Sequence, residues 1–548
     1  MYPKKELAQL VISACHQFSI DTVVISPGSR NAPLTIGFSN HSAIETLSVV
    51  DERCAAFFAM GIAQQKRKPV AIVCSSGSAL LNYYPAIAEA FYSQIPLIVI
   101  SADRPKHLID VGDGQTIRQE NVFENHILFS ANLVEGKTEE NKSLITEALQ
   151  ISKTQMGPIH INVPFDEPLY ETVAELSDFD FSDVISNEPK QVTKFETLAS
   201  IWNRSAKKMI LVGSNYPDIE LQKALEVYAE DESVLIFTET TSNLYHSKFI
   251  NSIDKLIFPL SDQEYEELQP DVLVTLGGLV ISKKIKQFLR KYQPKQHWHI
   301  DELRAFDTYF TLNEFIQEDP VEVLNKFLEF TEKVDSNYQS KWLLKKEQRA
   351  VKHQAYLSDC EYSDLKVFEA VLKTIPDASQ VQISNSSTIR YSQLFDVNPT
   401  LRIFCNRGTS GIDGSTSTAV GAAFADDEQT IFITGDLSFF YDSNALWNSN
   451  IPKNFRIIIL NNAGGGIFRF IPGPLTTNAT EYFETPHNLT ASHLAKMYNF
   501  EYLAVKDSIT LEKELNSFYT ESEHPKIMEV FTPKEINDVV LKNYFKNL

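Results

Sequence analysis

The stretch Thr430-Ile-Phe-Ile-Thr-Gly-Asp-Leu-Ser438 is typical of an apolar strand that ends at a Gly-Asp pair. A second strand of the same kind, Phe455-Arg-Ile-Ile-Ile-Leu460, ends at Asn461-Asn462-Ala-Gly-Gly-Gly466. Between them, Tyr441-Asp-Ser-Asn-Ala-Leu446 is typical of the start of a connecting helix. A β-α-β unit makes its two strands parallel neighbours. We therefore expect Asp436 and Asn462 to leave the carboxyl ends of adjacent strands, where open α/β sheets bind ligands.

The residue types at these strand ends favour a hard metal ion. Asp436, the side chain of Asn462 and a freed backbone carbonyl near Gly464 would form an all-oxygen set of ligands. Such a set suits Mg²⁺ that holds a diphosphate, with further ligands from phosphate and water. With Asn462 placed 26 residues after Asp436, the pair resembles the metal–diphosphate motif of thiamine diphosphate (ThDP) enzymes. Gly-Asp and Asn-Asn are also ordinary turn dipeptides after buried strands, so the rest of the chain has to decide.

The composition is that of a large, acidic globular protein. The chain has 548 residues, 43% hydrophobic and 22% charged, enough for about three domains. Its net charge of −21 argues against nucleic acid or an anionic membrane as the main partner. Neither a signal peptide nor a membrane span of about 20 apolar residues is expected. The cysteines form no CxxC pair, which favours reduced thiols in a cytoplasmic protein; they stand at positions 15, 54, 74, 360 and 405.

Short apolar strands alternate with helical stretches in three groups, the pattern of parallel α/β sheets. We predict a pyrimidine-binding domain over 1–180, a central Rossmann-like domain over 190–350 and a diphosphate-binding domain over 360–548. An acidic linker is expected at about 167–190 and a charged helical segment at about 320–358. The predicted strands are 22–26, 70–74, 96–101 and 158–163; then 208–213, 234–237, 271–276 and 297–300; then 381–384, 402–405, 430–434, 455–460 and 526–531.

Glu52 is the candidate for the carboxylate that a ThDP enzyme bonds to the aminopyrimidine. It stands in Asp51-Glu52-Arg53, at the head of an Ala-rich helix predicted over 54–65. Acids at a helix N-terminus complement its dipole, so an isolated acid there needs no other role. Here, however, Ser26-Pro-Gly-Ser-Arg30 lies upstream and Ser75-Ser-Gly-Ser-Ala79 downstream. Both place small residues at strand ends, where a flat heterocycle can approach the backbone.

The order of motifs along the chain closely resembles one family of ThDP enzymes. That family is 2-succinyl-5-enolpyruvyl-6-hydroxy-3-cyclohexene-1-carboxylate synthase, of menaquinone biosynthesis, and the resemblance runs nearly end to end. Asn406-Arg-Gly-Thr-Ser-Gly-Ile-Asp-Gly414 is its most diagnostic piece, whereas Gly-Asp…Asn-Asn is shared with other ThDP decarboxylases. The remaining motifs are Ser26-Pro-Gly-Ser-Arg30, Asp51-Glu-Arg53, Ser101-Ala-Asp-Arg-Pro105, Gln115-Thr-Ile-Arg-Gln119, Gly435-Asp-Leu-Ser438 and Gly464-Gly-Gly-Ile-Phe468.

The resemblance implies a reaction and its cofactors. Family members decarboxylate 2-oxoglutarate and add the resulting succinyl group to isochorismate in a 1,4 sense. ThDP supplies the carbanion chemistry, and Mg²⁺, or Mn²⁺ in its place, holds the diphosphate. Both substrates are dianions, so an acidic protein needs a local basic pocket. The resemblance further implies a homodimer or homotetramer with active sites between subunits, in which Glu52 of one subunit faces Asp436 of another.

The resemblance also assigns residues to these roles. Arg390 and Arg407 would hold the succinyl carboxylate, with Ser386 as a hydrogen-bond donor, because arginine suits bidentate carboxylate recognition. Arg30, Gln115 and Lys283 would form the isochorismate side. Glu52, Arg30, Gln115, Arg390 and Arg407 are the implied catalytic residues, and Asp436, Asn462 and Gly464 the metal ligands. The implied cofactor contacts are Glu52, Ser75, Gly77, Ile412, Gly435, Asp436, Leu437, Ser438, Asn462, Ile467 and Phe468.

Each of these residue types also has an ordinary structural role. An arginine in a loop usually makes a solvated contact, Lys283-Lys284 fits an exposed helix face, and Ile412 and Phe468 could pack in a core. The chain departs from the family at two places that concern isochorismate. It has Gly112-Asp-Gly-Gln115 where Gly-Ala-Asn-Gln is common, and Lys283-Lys284 where Lys-Arg is common.

Two other functions stay open on the sequence. Another ThDP carboligase, such as acetolactate synthase or a simple 2-oxoacid decarboxylase, acts on small or apolar acids and has no use for Arg390 and Arg407. A non-catalytic nucleotide-binding or regulatory protein would not bind ThDP, and the set of Glu52, Asp436 and Asn462 speaks against it. The predicted central domain lacks the full dinucleotide fingerprint at Val212-Gly-Ser-Asn215 and Leu276-Gly-Gly278, which indicates a structural role for it.

Overall fold

A computed structural model describes residues 1–181, 193–470, 473 and 476–548. Within these residues, three sheets of six parallel strands follow one another along the chain, with helices between the strands. This confirms the predicted class of three parallel-sheet α/β domains. Residues 182–190 of the predicted linker lie outside the described residues, as does the start of the predicted central domain.

The first sheet lies within residues 22–164. A separate two-stranded ribbon pairs residues near the start of the chain with residues that follow this sheet. The strands are β1 (Tyr2–Pro3), β2 (Thr22–Ile25), β3 (Glu45–Ser48), β4 (Val70–Cys74), β5 (Leu97–Asp103), β6 (Phe129–Asn132), β7 (Ile159–Pro164) and β8 (Thr172–Val173). The helices are α1 (Glu6–Gln17), α2 (Ala32–Asn40), α3 (Glu52–Lys66), α4 (Ser78–Asn82), α5 (Tyr84–Ser93) and α6 (Thr138–Thr154). The sheet order is β3-β2-β4-β5-β7-β6, and β1 pairs antiparallel with β8.

The second sheet lies within residues 208–316. Its strands are β9 (Lys208–Val212), β10 (Val234–Phe237), β11 (Phe249–Ile250), β12 (Val272–Leu276), β13 (Gln296–Ile300) and β14 (Leu312–Ile316). Their order is β11-β10-β9-β12-β13-β14. The helices are α7 (Phe195–Trp202), α8 (Ile219–Tyr228), α9 (Ile253–Ile257), α10 (Asp262–Leu268), α11 (Lys283–Lys291), α12 (Pro320–Leu328) and α13 (Tyr338–Asp359). The charged segment predicted at 320–358 is therefore two helices.

The third sheet lies within residues 380–531. Its strands are β15 (Gln380–Ile383), β16 (Arg402–Phe404), β17 (Thr430–Gly435), β18 (Arg456–Asn461), β19 (Glu501–Val505) and β20 (Lys526–Phe531). The helices are α14 (Asp364–Thr374), α15 (Ser387–Ser392), α16 (Ser415–Phe424), α17 (Asp436–Tyr441), α18 (Ala479–Phe483), α19 (Ser492–Met497), α20 (Ser508–Phe518) and α21 (Asn537–Asn547). The order β16-β15-β17-β18-β20-β19 makes β17 and β18 parallel neighbours, as the opening motif predicts.

Two features of the sequence prediction were wrong or incomplete. The connecting helix expected at Tyr441 begins earlier, at Asp436, and Ser443–Leu446 forms a 3₁₀ turn instead. The side chain of Asp442 is buried and accepts the Ser417 N–H, so the chain turns there instead of continuing as a helix. The strands missed by the prediction lie at sheet edges or in the ribbon: β1, β3, β6, β8, β11, β14 and β19. Edge strands are short and carry polar residues, so the apolar-run signal fails for them. Among the described helices, none is long and apolar enough to cross a membrane.

The first and third sheets are joined through a backbone contact between α3 and α16. A Cβ added at Gly61 would lie 2.1 Å from the carbonyl oxygen of Thr418, and one at Gly421 would lie 1.9 Å from that of Phe58. Both glycines are therefore required by the close approach of the two helices. The core around this contact contains buried residues of both sheets, such as Val99 and Ile457. The helix that begins at Glu52 is thus held against the third sheet.

We predict that Gly421→Val lowers the free energy of unfolding by about 3 kcal/mol, because its side chain must push α3 away from α16. Chemical denaturation followed by circular dichroism measures the effect. Gly114→Val is the matched control, since a Cβ at Gly114 meets nothing within 4 Å. Equal denaturation midpoints for the two variants would contradict the prediction.

Candidate active site

The motif loops follow neighbouring strands in both outer sheets. In the third sheet, the loops after β16, β15, β17 and β18 carry Arg407, Ser386, Asp436 and Asn462 in that spatial order. In the first sheet, the loops after β3, β2 and β4 carry Glu52, Arg30 and Ser75. The carboxyl ends of parallel strands lie at one edge of a sheet. Each outer sheet therefore gathers its motif residues at one edge.

Asp436 is the first residue of α17 and is almost completely buried. Its Oδ1 accepts the Leu437 N–H at 2.7 Å, and its Oδ2 accepts the Gly464 N–H at 3.0 Å. Burial raises the pKa of Asp436, and the two N–H groups oppose that rise. The contact with Gly464 brings the loop after β18 beside Asp436, so the predicted metal-binding residues are neighbours in the structure.

Asn462 has a fixed orientation. Its Nδ2 donates to Asp364 Oδ2 at 2.9 Å, while Thr532 donates to the other carboxylate oxygen at 2.6 Å. A carboxylate only accepts hydrogen bonds, so the amide must turn its NH₂ group toward Asp364. Asn462 Oδ1 is then buried without a hydrogen-bond partner among the described residues. An orphaned oxygen beside Asp436 fits a hard cation, the group that both side chains could hold.

The glycine loop 464–466 is less open than the sequence suggests. The Gly464 carbonyl accepts the Gly466 N–H at 3.0 Å, which uses one of its two lone pairs. Gly464 has φ +142°, and a Cβ there would lie 2.4 Å from the carbonyl oxygen of Glu484, so only glycine fits. His487, which sequence reasoning missed, places Nε2 3.3 Å from Asp436 Oδ2. It shares no motif with Asp436, and only the fold brings the two together.

The apolar residues of the motifs lie beside these loops and outside the main cores. Ser438 donates to the Ile412 carbonyl at 3.2 Å, which holds the loop before α16 against α17. Ile412, Ile467 and Phe468 are only partly buried, so core packing does not explain them. The ring centroid of Phe468 lies 5.1 Å from that of Phe483.

Glu52 is half-buried at the start of α3, and burial raises its pKa. Its two neighbours bind the end of α17 and the turn that follows it. Asp51 accepts from Asn444 Nδ2 at 2.9 Å, and Arg53 donates to the Tyr441 carbonyl at 3.0 Å. Arg53 also lies 3.6 Å from the buried carboxylate of Asp442. The residues around Glu52 are thus fixed to the third sheet within one chain.

The two small-residue loops of the first sheet touch each other. A Cβ on Gly28 would lie 2.3 Å from that of Ser75, so the loops after β2 and β4 meet there. The hydroxyls of Ser75 and Ser76 are buried and have no hydrogen-bond partner among the described residues. Gly77 has φ +88°, and its N–H donates to Gln119 Oε1 at 2.9 Å. This edge of the first sheet therefore presents unpaired polar atoms to a ligand.

Arg30 and Gln115 lie near these loops with different exposure. Arg30 is 4% exposed and donates to the Phe165 carbonyl at 2.9 Å, with Glu167 3.3 Å away. Its Nε is buried without a partner in the described structure. Gln115 is exposed at φ +56°, and its backbone lies against Gly77. A residue other than glycine at positive φ is strained.

Arg390 and Arg407 form a basic pair at the edge of the third sheet. Arg407 Nη1 donates to Asn385 Oδ1 at 2.7 Å. The Nε atoms of both arginines are buried, and neither has a hydrogen-bond partner among the described residues. Burial and the charge of Arg407 lower the pKa of Arg390, while Asp254 and Glu239 raise it. Ser386, at φ +71°, begins the turn into the helix that carries Arg390.

Lys286 and Glu239 join this pair, and sequence reasoning missed both. Lys283 is exposed at the start of α11, whereas Lys286 is partly buried and donates to the Val280 carbonyl at 2.8 Å. Burial lowers the pKa of Lys286, Glu239 raises it, and both arginines lower it further. Burial raises the pKa of Glu239 to about 7, and its carboxylate accepts the N–H groups of Ile281 and Ser282, each at 2.7 Å. The only feature of the sequence that could have pointed to Glu239 is its position just after the buried strand β10.

Comparisons with known proteins identify the class. Residues 5–127 match the thiamine pyrophosphate enzyme, N-terminal TPP binding domain, and residues 385–530 match the corresponding C-terminal TPP binding domain. Thiamine pyrophosphate is another name for ThDP. The two matches cover the parts of the outer domains that carry the motif residues, from Arg30 to Gln115 and from Ser386 to Phe468. The fold and the site therefore define a ThDP-dependent enzyme.

Full-length relatives narrow the class to one family. The chain is 55% identical to the 2-succinyl-5-enolpyruvyl-6-hydroxy-3-cyclohexene-1-carboxylate synthase of Flavobacterium johnsoniae and 54% identical to that of Flavobacterium psychrophilum, with 100% of each chain covered. It is 50% identical to the synthase of Christiangramia forsetii over 99% of each chain. The chain belongs to the family of 2-succinyl-5-enolpyruvyl-6-hydroxy-3-cyclohexene-1-carboxylate synthases. This confirms the resemblance inferred from the order of motifs.

We predict that Asp442→Asn flattens the dependence of stability on pH. Burial raises the pKa of Asp442 to about 7, so the folded chain binds this proton more tightly than the unfolded chain does. The resulting stabilisation is complete below about pH 4 and is lost as pH rises to about 7, by up to about 1.4 kcal/mol per pH unit. Denaturation midpoints between pH 4.5 and 8 measure the slope.

Asp427→Asn, at an exposed position, is the control and should keep the wild-type slope. A slope that is identical in all three proteins would show that Asp442 is ionised in both states, against the prediction.

Proposed function

We propose that this chain decarboxylates 2-oxoglutarate and adds the succinyl group to isochorismate in a 1,4 sense, with ThDP and Mg²⁺ as cofactors. The product would be 2-succinyl-5-enolpyruvyl-6-hydroxy-3-cyclohexene-1-carboxylate, with CO₂ released. The observation that carries the proposal is the pair Arg390 and Arg407, whose Nε atoms are buried and unpaired. Arg390 follows β15, which is directly beside the strand that leads to Asp436, and Arg407 follows β16, the next strand out. A dicarboxylate needs such a pair, whereas pyruvate does not.

Bound ThDP would supply the carbanion chemistry that lets a 2-oxo acid lose CO₂ and its acyl carbon join an acceptor. Asp436 and Asn462, with a backbone carbonyl near Gly464, would hold Mg²⁺, or Mn²⁺, against the diphosphate. Gly435, Leu437 and Ser438 surround Asp436 and would line the diphosphate. Their positions after β17 support the role of a phosphate cradle.

Glu52 would hold a proton shared with N1′ of the aminopyrimidine. Burial raises its pKa, so this carboxyl takes up a proton more readily than an exposed glutamate does. Ser75 and Gly77 would lie against the pyrimidine, and the buried hydroxyl of Ser75 supports a polar contact there. Ile412, Ile467 and Phe468 would form apolar walls around the cofactor and keep water away.

The basic residues would orient the substrates. Arg390 and Arg407 would bind the distal carboxylate of 2-oxoglutarate, with a donor from Ser386. Lys286 adds a third positive charge to this region. Arg30, Gln115 and Lys283 would bind isochorismate. Because the net charge is −21, these groups must create a local positive field in an acidic protein.

We further propose a cytoplasmic homodimer or homotetramer with active sites between subunits. Glu52 lies on the first sheet and Asp436 on the third, at edges that each carry half of a cofactor site. A complete site would form when the first sheet of one subunit faces the third sheet of another. A monomer would then be inactive.

We expect isochorismate to be consumed only when ThDP, Mg²⁺ and 2-oxoglutarate are all present. The loss is followed through the ultraviolet absorbance of isochorismate, with CO₂ release measured in parallel. Glu52→Gln should lower kcat by at least about 10³-fold while ThDP still binds, because the proton-sharing group is removed. CO₂ release without isochorismate loss would show that isochorismate is not the acceptor substrate. A preference for pyruvate over 2-oxoglutarate would indicate another ThDP carboligase.

We predict that Asp364→Asn weakens Mn²⁺ binding by about tenfold in the presence of ThDP. An asparagine there no longer forces the amide of Asn462 to present its oxygen to the metal. Electron paramagnetic resonance of free Mn²⁺ measures the dissociation constant without turnover. Asp427→Asn is the control for loss of a carboxylate. An unchanged Mn²⁺ dissociation constant in Asp364→Asn would show that the orientation of the Asn462 amide does not depend on Asp364.

A further inference from the structure

A series of buried amides connects Asp103 with Gly77 in the first sheet. Asn162 Nδ2 donates to Asp103 Oδ2 at 2.8 Å, and Gln119 Nε2 donates to Asn162 Oδ1 at 3.0 Å. The Gly77 N–H then donates to Gln119 Oε1 at 2.9 Å. Asp103, Gln119 and Asn162 are all more than nine-tenths buried. The proposed reaction assigns none of these three side chains a role.

The carboxylate of Asp103 sets the direction of this series, because a carboxylate only accepts hydrogen bonds. Asn162 must turn its NH₂ group toward Asp103, which leaves its oxygen facing Gln119. Gln119 must then turn its own NH₂ group toward Asn162 and its oxygen toward Gly77. The hydroxyl of Ser101 donates to Asn162 Oδ1 at 2.8 Å, which agrees with this direction.

Gln119 joins two segments that carry site residues. We call residues 75–77 the cofactor loop and residues 110–120 the substrate segment, which contains Gln115. The substrate segment has little regular structure, and its ion pair between Arg118 and Asp110 is exposed. Gln119, 1% exposed, is its buried anchor. A Cβ on Gly77 would lie 3.4 Å from the backbone of Gln115, so the two segments are also in contact.

We propose that Gln119 is a positioning residue that fixes the cofactor loop and the substrate segment against each other, in an orientation set by Asp103 and Asn162. It acts through Gly77 and Gln115 and does not touch the substrates itself. It therefore governs the binding of ThDP and isochorismate, and leaves the 2-oxoglutarate side at Arg390 and Arg407 unchanged. The expected effect on isochorismate rests on the proposed function. The expected effect on the cofactor loop and the substrate segment rests on the fold alone.

The test begins with Gln119→Glu. A glutamate can still accept from Gly77, but its second oxygen would face Asn162 Oδ1 and the Ala102 carbonyl, both acceptors. We expect faster hydrogen exchange in peptides that cover residues 75–77 and 110–120, and an about tenfold higher Kd for ThDP. The KM for isochorismate should rise by a similar factor, while kcat and the KM for 2-oxoglutarate stay within twofold. Gln155→Glu, at an exposed position, is the matched control.

The double variant Asp103→Asn with Gln119→Glu tests the direction of the series. It moves the carboxylate from one end to the other and conserves charge and size. Asn162 can then turn its NH₂ group toward Glu at position 119 and accept from Asn at position 103. We expect exchange, Kd and KM to return toward wild-type values. A merely structural role for Gln119 would lower stability without a selective change in the Kd for ThDP and the KM for isochorismate.

Unchanged exchange, Kd and KM in Gln119→Glu would overturn the proposal, as would a double variant no better than the single one. If Gln119→Glu does not fold, Gln119→Met replaces it, and unchanged exchange in that variant would overturn the proposal. Failure of the proposed function is a separate result. If the wild-type protein does not consume isochorismate, the proposed substrate is wrong. Hydrogen exchange and the Kd for ThDP would still test the role of Gln119.

Discussion

The direct backbone contact between α3 and α16 is the constraint on which both halves of the site depend. Gly61 and Gly421 let the two helices approach without side chains between them. Glu52 begins α3, and the loop that contains Ile412 leads into α16. Because helices are stiff, a fixed contact at their middle also fixes their ends. The start of α3 and the loop before α16 are therefore fixed relative to each other within one chain.

Buried carboxylates then orient the loops that the helices bring together. Glu89, on α5 of the first sheet, accepts the N–H groups of Gly408 and Thr409, which directly follow Arg407. Asp442 accepts the Ser417 N–H across from Arg53, and Glu239 accepts two N–H groups at the start of α11. A buried acid is costly unless such donors surround it, so each one ties a loop to one geometry. These three acids are buried, and each accepts hydrogen bonds from the backbone of a loop near the site.

Much of the fold could be predicted from the sequence, because central strands of parallel sheets are continuous apolar runs. The neighbouring positions of Asp436 and Asn462 followed from the chain order of β17 and β18 alone. Edge strands such as β3 and β19 could not be found, since polar residues interrupt their pattern. Asp364 and His487 were missed for a different reason. Each reaches the site from a part of the chain that carries no motif, and only three-dimensional packing makes it a neighbour.

The same limit applies to Lys286. The motif in the sequence indicated Lys283, which is exposed as the first residue of α11, and gave no signal for Lys286. Lys286 lies almost one turn later, and the charges of Arg390, Arg407 and Glu239 all act on it. Three cations close to the two acids Glu239 and Asp254 leave an excess of positive charge, and two guanidinium Nε atoms remain without acceptors among the described residues. Unpaired buried donors are costly, so an anion that supplied the missing acceptors would stabilise the region. In a protein of net charge −21, that local excess of positive charge would favour an anionic ligand here.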